Sequence, residues 1–447
     1  MNSRKSILAV LALVLIAGAI AVWIFRAPPR ETPPPYKVNG TWEYCVGIYT
    51  GTCPWILTPG ASNPVLSCAD VTDVPGLFTA DPFMIQKDGT WYLFTEVFNG
   101  LTHQGDIGVA TSPDGFKWKY QQIVLDEPFH LSYPCVFEWQ NQYYMVPESY
   151  EANAIRLYKA DPFPTHWTFV TNIVAGQFVD STPFHYKDMW YIFAGRLQNS
   201  ILHLFYSPKL EGPWVEHPKS PVVNGNLHHA RAGGHVIEAD GRVFRYTQDC
   251  GEEYGTGLRV FEITKLTTTE YEEHEMPTSP VLWASGHGWN ADGMHQCDVH
   301  PRPGGGWFAC VDGCNHSAPP DHWTHVAFAN GISLEGYSLR PAGPVKPGQS
   351  VVASFYWSYG TNSACTNIVA FVHAEKKHTR FQGDHALPAQ EDMSRSILKV
   401  PADAGPGEYK IAVGLYDTTS KKRLPLKTNF HTEDRAVILP TSLIVNR

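Results

Sequence analysis

The chain is 447 residues long, carries a formal net charge of −9, and is 13% aromatic but only 17% charged, with 35 prolines. Such a composition suits a large, turn-rich β protein of more than one domain and argues against the basic surfaces by which proteins hold nucleic acid, so none is expected as a partner. No P-loop, G-x-G-x-x-G or H-E-x-x-H motif occurs, which removes the usual nucleotide-binding and zinc-protease readings.

Residues 1–6 are a short tail containing Arg4 and Lys5. The uncharged apolar run 7–25 that follows is long enough to span a bilayer and ends in Trp-Ile-Phe-Arg, not in a small-residue cleavage site. We therefore expect an uncleaved membrane anchor. The rest of the chain would lie outside the cytoplasm, at a cell surface, in a periplasm or in a secretory lumen; a cleaved signal peptide is the alternative. Residues 26–41 include A-P-P-R-E-T-P-P-P-Y, a stiff proline-rich spacer. Nine cysteines fit an oxidising compartment, with Cys45 to Cys53 and Cys310 to Cys314 as candidate bridges.

Residues 42–331 are organised by a repeat. Its first copy runs from Thr79 to Trp118: T-A-D-P-F-M-I-Q-K-D-G-T-W-Y-L-F-T-E, then G-D-I-G-V-A-T-S-P-D-G-F-K-W. Asp88-Gly89 between strand-forming residues is a hairpin turn, and a third strand ends at a Pro-Asp-Gly turn. Further copies start at S-Y-P-C-V-F, V-D-S-T-P-F, R-A-G-G-H-V and Q-C-D-V-H-P. Four strands recurring at about 50 residues predict a β-propeller, here of five blades. The run C-V-G-I-Y-T-G-T-C-P-W near residue 45 is expected to complete the last blade by pairing near Trp307, with 324–329 as the competing donor. Residues 332–447 change to short alternating strands separated by Gly/Pro-rich turns, which predict an immunoglobulin-like β-sandwich. The expected class is thus all-β, a five-bladed propeller followed by a sandwich behind an N-terminal anchor.

In a propeller the first strand of every blade lines the central channel, so equivalent positions meet although far apart in sequence. Lining up the repeats brings together Asp81, Tyr133, Asp180, Arg231 and Asp298, with His295 beside them. Glu96, Glu148 and Asp249 fall at equivalent ends of the next strands. Carboxylates crowded beside aromatic residues are what glycoside hydrolysis requires, one protonating the leaving oxygen and another activating water or attacking carbon. Simpler roles stand beside these. Asp81 and Asp180 could cap their own turns, Glu148 could serve an ion pair, and Glu253 could face solvent. No cofactor is expected; a structural metal ion in the channel would draw on His228, His229 or His295, though loop and core histidines are commoner.

The A-D-P-F and D-G-x-W-Y-L-F elements resemble the first blade of glycoside hydrolase family 43. That resemblance implies that Asp81 is the general base and Asp180 the residue that orients it. The family's acidic residue in blade four has no counterpart, because the chain reads H-A-R-A-G-G there; Glu148, with Glu253 in reserve, is the expected acid. A second resemblance covers 62–313. S-N-P-V-L-S-C-A-D-V-T-D-V, A-D-P-F, Q-G-D-I-G-V-A, H-L-S-Y-P, M-V-P-E-S, V-D-S-T and Q-D-C-G-E-E-Y-G are together similar to the N-terminal propeller of glucosamine inositolphosphorylceramide transferases. It implies a propeller and a link to glycans. The reading is a glycan-active protein, a glycoside hydrolase acting on a carbohydrate or glycoconjugate: Asp81, Asp180, Glu148 and Glu253 supply the chemistry, while Tyr133, Arg231, His295 and Asp298 bind substrate. A non-catalytic glycan-binding or accessory propeller is the alternative.

Overall fold

The computed structural model describes residues 43–447, apart from 61, 361–366, 388–391 and 428–431. The expected anchor and spacer lie outside the described residues. Among those described, no helix is long and apolar enough to cross a membrane; the structure is all-β, interrupted by three single-turn 3-10 segments.

Between 43 and 315 the chain forms antiparallel sheets in succession. The first runs Gly76–Lys87, Thr90–Asn99, Gln104–Ser112 and Lys119–Leu125, each strand pairing with the next. Ser132–Trp139 opens the second sheet, Val179–Tyr186 the third and Arg231–Ala232 the fourth. The fifth begins with Cys297–Pro301 and Trp307–Asn315 and is completed from the other end of the chain. There Glu43–Cys53 pairs with Trp307–Asn315, placing Gly51 opposite Trp307, as the repeat pattern anticipated. Hairpins join the inner strands, and Asp88-Gly89 and Asp240-Gly241 both adopt the paired left-handed conformation of a type I′ turn.

Successive sheets pack face to face through their own apolar clusters. Phe83, Phe94, Tyr133 and Trp167 fill the space between the first and second sheets, and Ile155, Trp190 and Phe205 that between the second and third. The pattern continues through Phe193 with Val243 and Phe244 with Val311, and Val46, Ile48 and Phe308 of the fifth sheet pack against Leu93 and Trp91 of the first. The arrangement is propeller-like: the last sheet returns to the first. The repeat-closing tryptophan Trp167 is core.

The innermost strands share a kink. Asp81, Tyr133 and Asp180 all have left-handed backbone, with φ of 51, 46 and 45°, and each sits where the register with the second strand slips. A side chain at such a position leaves the regular alternation, and its amide turns toward the centre of the assembly.

Beyond 315 two further sheets share one core, in which Tyr337, Phe355 and Trp357 meet Val372, Val413 and Leu415. The strand His322–Phe328 pairs with Ile332–Arg340, so the segment considered as the competing donor for the last blade, and placed by sequence before residue 332, belongs to these C-terminal sheets. Arg340 ties them to the fifth inner sheet. Its guanidinium pairs with Asp321 and donates to the Cys68 thiol at 3.1 Å, and that thiol donates to Glu43 at 3.3 Å. The expected disulfides are absent among the described residues, where all eight cysteines are free. Both members of each expected pair lie on one extended strand. Even a separation of four residues spans about 13 Å there, beyond the ~7 Å limit for a bridge.

Ile48, 1% exposed among Val46, Leu93 and Phe308, tests the closure. Ile48→Ala should destabilise the protein by about 2–5 kcal/mol in denaturant unfolding, as an interior truncation does. A change near zero would show that Glu43–Cys53 does not seal the fifth sheet in solution.

Candidate functional site

The kinked inner strands and their neighbours gather a group of charged side chains at the centre of the inner sheets. Register places Glu96 opposite Ala80, Glu148 opposite Ser132 and Gln248 opposite Arg231. Arg231 grips Asp180 with two nitrogens, Nε to Oδ2 at 2.5 Å and Nη2 to Oδ1 at 3.2 Å, and lies 3.5 Å from Glu148 Oε2. Gln248 Nε2 donates to the same Asp180 Oδ2 at 2.6 Å. Asp312, from the second strand of the fifth sheet, accepts from the amides of Asp81, His295 and Gln296, and its Oδ2 lies 2.6 Å from His295 Nδ1. The other ring nitrogen of His295 faces Asp81 Oδ1 at 3.8 Å. Exposure runs from 0% at Asp312 to 9% at Glu148 and Arg231, so charges here interact through little water.

Rings surround the group. Tyr254 lies edge-on to His295 at 5.4 Å and beneath the Arg231 guanidinium at 5.0 Å. On the other side Tyr44 stacks on His295, and Phe78 and Phe98 continue the wall toward His130, whose Nε2 is 3.6 Å from Glu96. An aromatic wall beside carboxylates can hold the apolar face of a sugar ring while polar groups reach its oxygens.

Burial, and after it the neighbouring carboxylates, shift the acids upward. Glu96 is pushed well above the usual range by desolvation, then by Asp81 and Glu148; Glu148 is pushed up by desolvation and Asp180, against the pull of Arg231. Asp81 is raised to about 7 by desolvation, although His295 opposes the shift. Burial would lower His295, but Asp312 and then Asp81 carry it up to about 9.

Of the residues named from sequence, Asp81, Glu148, Asp180, Arg231 and His295 belong to this group. Glu253 does not: it is exposed in its loop, and its neighbour Tyr254 enters the group instead. Tyr133 contributes only its amide, which donates to Asp81 Oδ2 at 3.2 Å. Its apolar ring packs in the core, where the hydroxyl meets Thr182 and Gly234. Asp298 makes its contacts elsewhere, accepting from the Met84 amide at 2.7 Å and pairing with His235 and His300. Asp249 points away, to His228 and Arg259; strand alternation gives the inward place to Gln248. His228 pairs with Asp249 and His229 stacks on Phe261, so neither joins a group able to hold a metal among the described residues. Asp81, His295 and Asp312 lie close enough to suggest one. Yet both carboxylates lie on the one His295 ring, whose imidazolium is itself the cation between them.

The chain matches the family described as glucosamine inositolphosphorylceramide transferase 1, N-terminal, over residues 37–314, a span that holds the whole charged group. It belongs to that family. Relatives include glucosamine inositolphosphorylceramide transferase 1 of Oryza sativa subsp. japonica, 34% identical over 329 residues, and that of Arabidopsis thaliana, 38% identical over 300. These alignments cover 67% and 62% of this chain but only 44% and 39% of the relatives, so the chain spans less than half their length. Among solved structures it is similar to the catalytic domain of the Coprinopsis cinerea GH62 α-L-arabinofuranosidase, at 13% identity with a TM-score of 0.41 over 79% of this chain and 96% of that one. A thermostable family-43 glycoside hydrolase gives 13% and 0.40 over 78% and 99%.

In this member of the glucosamine inositolphosphorylceramide transferase 1 N-terminal family, sequence reasoning missed Tyr44, Gln248, Tyr254 and Asp312 and noted Glu96 only as a strand end. Asp312 was within reach, since V-D-G in the fifth repeat occupies the strand that carries Glu96 in the first. The His295 shift has a thermodynamic consequence. Its folded value lies above the ordinary 6.5, so the stabilisation is complete below pH 6.5 and is lost as pH rises through about 9. The melting temperature should fall across that window in the wild type and fall less in His295→Gln; parallel pH profiles would show that the His295 ion pair contributes nothing.

Proposed function

We propose that this chain is a glycoside hydrolase acting on the glycan of a glycoconjugate at the charged centre of its inner sheets. The observation that carries this reading is the gathering of buried Asp81, Glu96 and Glu148 around Arg231 and His295, against the wall of Tyr44, Phe78 and Phe98; burial raises Asp81 to about 7 and pushes Glu96 and Glu148 well above the usual carboxylate range. A carboxyl kept protonated near neutrality can donate to a leaving glycosidic oxygen, and an ionised partner can take the proton of an attacking water. Asp81 is assigned as base, Glu148 as acid and Asp180 as the anchor that positions Arg231. Glu96 replaces Glu253 as the reserve acid because it is buried within the group. The names of the relatives support a glycolipid as the glycoconjugate.

The second reading, a non-catalytic glycan-binding module, is favoured by Arg231. It stands where the glycosidase resemblance calls for an acid, and it is locked to Asp180 by two bonds. The architecture belongs to the same proposal: five blades over 43–315, a β-sandwich from 322 to the C-terminus, a membrane anchor at 7–25, a spacer at 26–41 and an extracytoplasmic location.

The test is turnover and binding by the purified full-length protein on a glycan and glycolipid panel. Asp81→Asn keeps the shape and removes the basic oxygen; hydrolysis should fall by about 10²–10⁴ with binding retained. Undiminished hydrolysis would remove Asp81 from the assignment, and tight glycan binding without turnover would favour the binding module. For the anchor, the protein should stay with membranes after alkaline extraction and keep residues 7–25 at its mature N-terminus; a terminus near Ala27 would show a cleaved signal.

A further inference from the structure

A second group of ligating side chains lies outside the acid centre and takes no part in the chemistry proposed for it. Asp298 and His300 stand two residues apart on the strand Cys297–Pro301, a spacing that puts both on one face. His235 reaches them from the segment joining Arg231–Ala232 to Ile237–Ala239 in the fourth sheet. His235 Nδ1 is 2.6 Å from Asp298 Oδ1, and His300 Nε2 is 2.9 Å from Asp298 Oδ2. Ligand atoms from all three lie within 4.8 Å of one another. These imidazoles present one nitrogen each to the two oxygens of a single carboxylate, so one ion can meet all three residues.

The surroundings suit a cation. Asp298 is fully buried, and the Met84 amide on its Oδ2 sets its orientation, the kind of outer support that metal-binding carboxylates use. The side chains of His235 and His300 are 17% and 22% exposed, which leaves the imidazole side open to an entering ion. Phe83 packs edge-on against His235, and Trp91 against His300, limiting how far either ring can swing.

We propose that His235, Asp298 and His300 bind a divalent transition cation, zinc, that pins the fourth sheet to the fifth beside the seam where the ring closes. Two nitrogens and one oxygen select zinc over calcium or magnesium, which take oxygen ligands. Ligand bonds of about 2.0–2.2 Å need only small shifts of rings already this close, with a fourth position left for water. The competitor is hydrogen bonding: with no metal, His235 and His300 hold the two oxygens of Asp298 and form a His–Asp–His clamp.

The experiment uses the full-length protein, stripped with a chelator, dialysed and titrated with zinc chloride. One zinc per chain and a rise in melting temperature are expected, because a ligand that binds only the folded state stabilises it. His300→Gln should weaken zinc binding by more than the roughly 10–100-fold that outer-shell changes cost, and His295→Gln, at the acid centre, should bind zinc as the wild type does. Failure to take up stoichiometric zinc, or equal uptake by His235→Gln and His300→Gln, would leave only the hydrogen-bonded clamp and overturn the proposal. Cobalt(II) substitution in the wild-type protein is independent of how well the variants fold. A spectrum of nitrogen and oxygen donors without a thiolate charge-transfer band is expected; a thiolate band would assign the metal to the cysteines instead.

Discussion

The inner sheets depend on one backbone arrangement: a left-handed residue early in the first strand that hands its amide to a carboxylate of the sheet before it. Asp81 donates to Asp312 of the fifth sheet, Tyr133 to Asp81 of the first, and Asp180 to Glu148 of the second at 3.4 Å. Left-handed backbone at a non-glycine residue costs roughly 1–2 kcal/mol. A hydrogen bond contributes about 0.5–1.5 kcal/mol, and more where the acceptor is charged, so each bond offsets much of that cost. The fourth and fifth sheets have no such residue in their described first strands, and in the fourth the Arg231 and Gln248 side chains reach back to Asp180. The carboxylates at the centre therefore join the first four sheets in succession, and the first to the fifth, before they are considered for any chemistry.

That arrangement explains what could be read from the sequence and what could not. The repeat, its hairpins and the strand Glu43–Cys53 were legible because they follow from alternation and turn residues, which are local. Grouping Asp81, Asp180, Arg231 and Glu148 followed from aligning the repeats. The failures fall where alternation is interrupted. Tyr133 aligns with Asp81 and shares its backbone, but its ring is apolar and packs in the core, leaving only the amide at the centre. Between Gln248 and Asp249, a shift of one residue decides which side chain faces inward, and the register with Arg231 selects Gln248. Tyr254 lies in a loop with no repeat equivalent, and the search for an acid near blade four singled out its neighbour Glu253 instead. The cysteine pairs looked close along the chain, yet an extended strand holds them apart.

The charge balance of the centre joins its structural and chemical roles. Asp81, Glu96, Glu148, Asp180 and Asp312 are carboxyl groups in a space nearly closed to water, and Arg231 and His295 are the cations set among them. Five negative charges against two positive ones cannot all persist at low dielectric, so protons are retained where the cations are least effective. Asp180 lies within the Arg231 fork and Asp312 on His295 together with three amides. Glu96 has only the more distant ring of His130, and Glu148 shares Arg231 at the longer contact. Both are pushed well above the usual carboxylate range. The same shortage of cations that favours the protonated form of Glu96 and Glu148 leaves them able to give up a proton, so a hydrogen-bonded frame and a proton-donating site can be built from one set of residues.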